Sequence, residues 1–164
     1  MAKSFVKVSA SLIIGIVIGV VGTVFFYPFI FSPAQVNEQV QNVDANKAIA
    51  MGTFIHPNPA DPLHWGKGNV TVYSEGNTHE VFLGKDFQVG PGPAFHVYLS
   101  DGADIKSNAD FKKAPNADLG VLKSFKGSQV YQVPSDVDMS KVKSVVIWCK
   151  SFGQLISSAN LKAG

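Results

Sequence analysis

The chain has 164 residues, 46% of them hydrophobic and 16% charged, and this composition excludes disorder over most of its length. Its 14 basic residues are all lysines and stand against 12 acidic residues; without arginine or a basic block, a nucleic-acid-binding function is disfavoured. The single cysteine, Cys149, excludes an internal disulfide, a cysteine-based zinc cluster and a C-x-x-C redox pair.

The first predicted element is a membrane-spanning helix. Residues 8–27 form a run of 20 residues without a charge, and a helix of this length spans about 30 Å, the thickness of the hydrocarbon core. Lys3 and Lys7 precede the run, and no charge follows it until Glu38. The positive-inside rule therefore predicts a single-pass anchor within residues 1–31, with a cytoplasmic N-terminus and an exported body.

A cleaved signal peptide is the alternative to a retained anchor. Ser32, Pro33 and Ala34 loosely fit a cleavage site, and cleavage there would release a secreted protein that starts at Gln35. The apolar core of a secretory signal is about 7–15 residues long, which is shorter than the run seen here. The length of the run favours the anchor.

Residues 32–50 are predicted to be a polar linker between the membrane and an exported domain at 51–164. Val36, Val40 and Val43 have the spacing of a short amphipathic helix, but the Gln- and Asn-rich composition favours a solvated spacer.

The exported part is predicted to be all-β, because short runs of β-branched and aromatic residues alternate with Gly, Pro, Asn and Asp. The pattern favours an antiparallel β-sandwich or small barrel of about seven to eight strands. Short helices are predicted only at 104–113 and 135–141. The predicted strands cover residues 52–55, 69–74, 78–83, 95–100, 119–122, 129–133, 142–149 and 154–159.

The strand at 142–149 is apolar on both faces from Val145 onward, which is typical of a central strand covered on both sides. Side-chain alternation places Val145, Ile147 and Cys149 on one face. Val146 and Trp148 then lie on the other.

Several segments of the domain, taken together, resemble the DM-thirteen domain family. The resemblance covers residues 51–161, essentially the whole exported domain. Its segments are Gly52-Thr53-Phe54 with His64 and Gly68, Gly92-Pro93 before residues 96–100, residues 119–123, 127–134 and 145–152, and Ala159-Asn160-Leu161.

This resemblance implies a β-sandwich-like extracytoplasmic domain with a characteristic cysteine, for which electron transfer has been suggested. That cysteine corresponds to Cys149 here. Ala94 occupies a position where the family pattern leads us to expect an acidic residue, which weakens a role for a carboxylate beside His96.

Cys149 has two interpretations from the residues alone. It is either a small buried hydrophobic residue, as unpaired cysteines often are, or a redox thiol in an oxidising compartment. A reactive thiol needs exposure and a lowered pKa, which Lys150 or a nearby histidine could provide. The candidate neighbours of the thiol are Trp148, Lys150, His96, Tyr98 and His64.

A copper site is the sharper form of the redox hypothesis. Its weak candidate ligands are Cys149, Met139 and the imidazoles of His56, His64, His79 and His96, which are blue-copper ligand types. No histidine follows Cys149, however, and this argues against such a centre. Covalent c-type haem is excluded because C-x-x-C-H is absent.

The leading functional hypothesis is a membrane-anchored redox domain that exchanges electrons or thiols with a partner protein. The alternative is a non-catalytic adhesion, scaffold or ligand-binding module in which Cys149 only packs. An enzymatic role is not favoured, because no G-x-S-x-G, H-E-x-x-H or P-loop motif is present. No resident cofactor is implied.

Overall fold

A computed structural model of the chain describes residues 2–31, 33–40 and 48–164. It confirms the predicted all-β fold, and of the two predicted architectures the sheet adopts the barrel-like one. The helices are α1 (Ala2–Ile30) and α2 (Asn108–Lys113). The strands are β1 (Ala48–Ile55), β2 (Gly66–Lys67), β3 (Asn69–Glu75), β4 (Thr78–Leu83), β5 (Gln88–Val89), β6 (Phe95–Ser100), β7 (Asn116–Val121), β8 (Gln129–Gln132), β9 (Ser144–Cys149), β10 (Gln154–Asn160) and β11 (Lys162–Ala163).

The helix α1 contains the predicted apolar span. Residues Ser9–Pro28 are long and apolar enough to cross a membrane, with a mean hydropathy of 2.4. Large apolar side chains along this span, such as Ile18 and Val21, are more than 60% exposed. A signal sequence meets the same criterion of length and composition, so the span by itself does not establish an anchor.

Eight strands form one antiparallel sheet in the order β7-β6-β9-β10-β1-β3-β4-β8, and β11 pairs with β1. The sheet curls until its two edge strands, β7 and β8, approach each other, which gives a nearly closed barrel. The short strands β2 and β5 pair separately and contribute Val89 to the barrel core. All eight predicted strands are present, with their ends shifted by up to four residues.

The strand β9 lies between β6 and β10 and is buried along its whole length. Val145, Ile147 and Cys149 belong to the core inside the barrel. Val146 and Trp148 belong to a second cluster on the outer face, where Ile105 and Phe111 of the β6–β7 connection cover them. The predicted distribution of these side chains between two covered faces is therefore confirmed.

The gap between β7 and β8 is closed by side chains of β8. The Gln129 side chain is fully buried, and its Oε1 accepts hydrogen bonds from the backbone N–H of Lys123 and Ser124 at 3.0 and 3.2 Å and from the Tyr131 hydroxyl at 2.8 Å. Its Nε2 donates to the Ser124 carbonyl at 2.8 Å. The side-chain amide of Gln129 thus provides hydrogen bonds at the gap where a continuous backbone ladder between β7 and β8 would otherwise supply them.

Part of the predicted linker is held against the edge of β8. The Glu38 N–H donates to the Ser128 carbonyl at 2.9 Å, and its Oε2 accepts from the Val130 N–H at 2.7 Å. The same Oε2 lies 2.7 Å from the Lys123 ammonium. Residues 33–40 contain no helix, and Val43 lies outside the described residues.

One of the two predicted short helices is wrong. The segment 104–113 contains α2, which begins after the N-cap Ser107, whose hydroxyl accepts from the Asp110 N–H. Residues 135–141 instead form turns. The Asp138 side chain accepts from the Ser140 N–H and hydroxyl, and such local bonds compete with a helix.

We expect Gln129→Ala to lower the free energy of unfolding by about 2–4 kcal/mol, because it leaves several buried polar groups at the β7–β8 gap without partners. Chemical denaturation of the full chain in detergent, followed by tryptophan fluorescence, measures the change. Gln132→Ala, an exposed amide on the same strand, is the matched control and should change stability by less than about 1 kcal/mol. Equal effects of the two substitutions would contradict the role assigned to Gln129.

Candidate functional site

Cys149 is the last residue of β9, and its side chain points into one end of the barrel, where it is 2% exposed. Its register partner on β6 is Phe95. The thiol donates to the carbonyl of Pro93, with a sulfur–oxygen distance of 3.2 Å. The backbone N–H groups of Ser151 and Phe152, in the turn after β9, donate toward the same sulfur.

Burial is the larger influence on the thiol and raises the pKa of Cys149, while the N–H groups of Phe152 and Ser151 lower it without cancelling the rise. The thiol is therefore protonated at neutral pH. A protonated, buried thiol is a poor nucleophile. The sequence suggested that Lys150 could lower this pKa, but the Lys150 ammonium lies 3.1 Å from a carboxylate oxygen of Asp118 instead.

A small, mostly apolar cavity of about 50 Å³ lies beside the thiol. Two of its lining residues are exposed to solvent, Leu63 at 47% and Phe152 at 61%, and they form its rim. The cavity therefore leads from the surface toward a buried sulfur. Its lining residues are Leu63, His64, Pro91, Gly92, Pro93, Phe95, Cys149, Phe152 and Ile156.

His64 shares this cavity with Cys149, so the structure brings these two predicted residues together. The His64 Nδ1 lies 2.6 Å from Asp61 Oδ2. Hydrogen bonds from the His64 side chain and the Leu63 N–H hold the pKa of Asp61 at about 2, so its carboxylate stays charged and orients the imidazole. With Nδ1 facing a carboxylate, Nε2 is the ring nitrogen left to contact another partner.

A second group of predicted residues meets around a carboxylate on the outer face of the barrel. Asp118 of β7 lies 2.9 Å from His96 Nδ1, 3.0 Å from the Tyr98 hydroxyl and 3.1 Å from the Lys150 ammonium. Its Oδ1 also accepts from the Gly120 N–H at 2.9 Å. Asp118 thus links β6, β7 and the end of β9.

The electrostatics of this cluster favour a charged carboxylate. Partial burial opposes ionisation of Asp118, but hydrogen bonds from His96, the Gly120 N–H, Lys150 and Tyr98 outweigh it and hold its pKa at about 2. Burial and the hydrogen bond to Asp118 raise the pKa of Tyr98 to about 12, so its hydroxyl remains a donor at neutral pH.

The remaining candidate residues lie apart from the cavity. Trp148 packs on Phe111 at 4.5 Å between ring centroids, on the outer side of the barrel wall. His56 Nε2 bonds to the Asp61 carbonyl at 2.8 Å. Met139 lies in the connection between β8 and β9. This connection is at the end of the barrel away from Cys149, and Met139 packs on the barrel core there.

The weak candidate ligands for copper are therefore dispersed. Cys149 and His64 line the same cavity, whereas His96 contacts Asp118. Among the described residues, no group of three or more His, Cys, Asp or Glu side chains is arranged to hold a metal ion.

Sequence reasoning missed Asp61 and Asp118. Asp61 could have been found, since it precedes His64 by three residues in a Pro-rich turn where aspartate side chains often bond to the backbone. Asp118 reaches both His96 and Tyr98 only because the β6–β7 register shifts between Val97 and Tyr98. The one sequence signal for that shift is Gly120, which has a φ of +115°, a backbone conformation that favours glycine.

Comparison with protein-family models matches residues 60–161 to the family described as Electron transfer DM13. The match includes the cavity, both aspartates and Cys149. No curated protein and no solved structure matches the chain.

We expect Asp118→Asn to destabilise the domain by about 1–2 kcal/mol at neutral pH, since a charged acceptor of several hydrogen bonds is lost. The folded pKa lies below the unfolded value near 3.8, so this contribution is complete above about pH 4 and disappears as the pH falls toward 2. Unfolding free energies from pH 2 to 7 measure it. The exposed Asp136→Asn is the control, and an equal loss there would contradict the assignment to the cluster.

We expect the Cys149 thiol to react with a small neutral maleimide at least about tenfold more slowly in the native chain than in denaturant, because the folded protein limits both access and thiolate formation. Since burial raises its pKa above the ordinary value of 9.0, the native rate should keep increasing with pH beyond that point. Mass spectrometry over time measures both rates. Rapid native labelling with a plateau below pH 9 would contradict the buried, protonated thiol.

Proposed function

Because the chain belongs to the Electron transfer DM13 family, we propose that it is a membrane-anchored, extracytoplasmic redox domain that acts through Cys149. The apolar span Ser9–Pro28 would serve as the single-pass anchor, with the N-terminus in the cytoplasm and the barrel on the exported side. The partner would be a second redox-active protein. Family membership does not favour the alternative of a scaffold in which Cys149 only packs.

The observation that carries this proposal is the position of the sulfur beneath the cavity. A cysteine that only filled space would need no path to the surface. Here the cavity rim is formed by two exposed apolar side chains, Leu63 and Phe152, and the N–H groups of Ser151 and Phe152 face the sulfur. N–H donors stabilise a thiolate, which is the reactive form.

Burial and the N–H donors act in opposite directions on the thiol, and this suggests a gated reaction. In the closed state burial dominates, so the thiol stays protonated and is protected from random oxidation. When a partner displaces the rim, the burial penalty falls while the N–H groups remain. The thiol would then lose its proton more readily, and His64, which lines the same cavity, would accept that proton.

The proposed step is an exchange with a disulfide of the partner. The Cys149 thiolate attacks one sulfur of that disulfide, a Cys149–partner disulfide forms, and the partner's own sulfur–sulfur bond breaks. The departing partner thiolate takes the proton that Cys149 lost, so the Cys149 sulfur is oxidised and one partner sulfur is reduced. A second thiol then attacks the partner sulfur of this mixed disulfide and forms a new disulfide with it, and the released Cys149 thiolate takes up the proton of the attacking thiol.

This function is tested with mercaptoethanol disulfide as the probe and the full chain in detergent. We expect a slow single adduct at Cys149 that mercaptoethanol reverses, measured by intact mass. Phe152→Ala should accelerate adduct formation several-fold, because it removes part of the rim over the sulfur.

The matched control is Val121→Ala, which shortens an exposed apolar side chain that does not line the cavity. Its rate should equal that of the unmodified chain. If the adduct forms only under denaturing conditions, in the unmodified chain and in Phe152→Ala alike, Cys149 is a packing residue and the proposed redox role fails.

A further inference from the structure

The cavity beside Cys149 opens at one end of the barrel, and the two ends differ in composition. We call the end that contains the sulfur the Cys149 end, and the other the opposite end. The Cys149 end is formed by residues 56–68, 84–94, 121–128 and 149–153, and the opposite end by residues 76–77, 101–115 and 133–143.

The segment that follows α1 joins the barrel at the Cys149 end. Gly127 packs so closely against Gln35 and Val36 that a Cβ at this position would collide with the Val36 carbonyl oxygen. Three residues further, the Val130 N–H donates to Glu38 Oε2, and the Ser128 hydroxyl donates to the Glu38 carbonyl at 2.7 Å. Backbone and side-chain bonds therefore both hold this segment, residues 35–38, in place.

Chain length restricts how far the Cys149 end can lie from the end of the apolar span. Val36 is only five positions beyond Phe31, which follows α1, and an extended chain over five residue steps reaches at most about 18 Å. The barrel strands add about 20 Å between the two ends, judged from the six residues of β9. The opposite end is therefore the more distant one.

Exposed apolar side chains mark the Cys149 end. Leu63 is 47% exposed, Val121 is 62% exposed and Phe152 is 61% exposed. Leu63 and Phe152 lie in two separate connections of the barrel, and Val121 is the last residue of β7. Apolar side chains at the near end of an anchored domain can enter the boundary between lipid headgroups and acyl chains.

The two ends of the barrel also differ in their charged side chains. The Cys149 end has five lysines and two aspartates, and two of the lysines, Lys123 and Lys150, pair with Glu38 and Asp118. Three lysines therefore remain against two aspartates, whereas at the opposite end five lysines balance five aspartates. Lys67, Lys85 and Lys126 at the Cys149 end are exposed. An excess of lysine is attracted to anionic lipid headgroups over about one Debye length.

From these observations we propose that the Cys149 end docks on the lipid surface of the membrane that holds the anchor. This inference rests on the anchoring part of the proposed function and extends it: the cavity beside Cys149 faces the membrane. The redox partner of the chain therefore presents its own reactive group at the membrane surface, as a membrane-resident protein does. A soluble partner that approaches from the aqueous side would meet the opposite end.

The test places fluorescent labels at both ends of the full chain. In a Cys149→Ser background, single labels are attached through Val121→Cys or Phe152→Cys at the Cys149 end and through Asn77→Cys or Ala103→Cys at the opposite end. The chain is reconstituted into vesicles that contain a headgroup-attached quencher, with and without anionic phosphatidylglycerol. We expect several-fold stronger quenching at residues 121 and 152, and a further increase when the anionic lipid is present.

Two pairs of variants test the cause of the orientation. Glu38→Ala removes the carboxylate that holds residues 35–38 and should reduce the difference between the ends, while the adjacent exposed Gln39→Ala should preserve it. Lys126→Glu at the Cys149 end should weaken the effect of anionic lipid, and Lys113→Glu at the opposite end should not.

The outcomes separate this inference from the proposed function. If alkaline carbonate extracts the chain from the vesicles, the anchor and the docking both fail. If the chain stays in the vesicles but labels at the two ends are quenched equally, only the docking fails, and the Cys149 end is open to a soluble partner. Unequal quenching together with no native adduct at Cys149 would support the docking and overturn the redox role.

Discussion

The structure depends on one strand that is covered on both faces. Strand β9 lies between β6 and β10, its inner side chains fill the barrel, and its outer side chains lie beneath α2 and the loop before it. Such a strand has no solvated face, so its position is fixed by packing rather than by loops. Cys149 is the last residue of β9 and is consequently held at a defined depth beneath the cavity rim. The next residue, Lys150, is exposed at the surface.

The depth of the sulfur explains why two opposite influences act on the pKa of the Cys149 thiol. Packing removes water and raises the pKa of Cys149, while the turn that follows β9 directs the N–H groups of Ser151 and Phe152 toward the sulfur. In the proposed function, moving Leu63 or Phe152 would reverse the first influence, whereas the second belongs to the backbone of a tight turn. Burial therefore keeps this thiol protonated, while its local hydrogen bonds act in the other direction.

Much of this architecture is predictable from sequence because strand signals are local. Alternation, β-branched runs and turn residues locate all eight main strands, and the uninterrupted apolar run at 145–149 correctly predicts double burial. The Asp118 cluster is not predictable in this way, because it depends on a register shift between β6 and β7 that brings Asp118 between His96 and Tyr98. The docking of Glu38 on β8 is also non-local, since about 90 residues separate the bonded groups.

In the proposed arrangement, these non-local contacts connect the apolar span to the end of the barrel that contains the thiol. The Gln- and Asn-rich composition of the segment favours a free spacer, and a free spacer would let the barrel of an anchored chain rotate above the membrane. In the proposed arrangement, Glu38 would restrict that freedom, because it occupies the unpaired edge of β8, where an exposed strand would otherwise be open to pairing with another chain. In the proposed membrane-anchored arrangement, the same contact that protects the edge would also select which end of the barrel lies nearest the membrane, and that end contains Cys149.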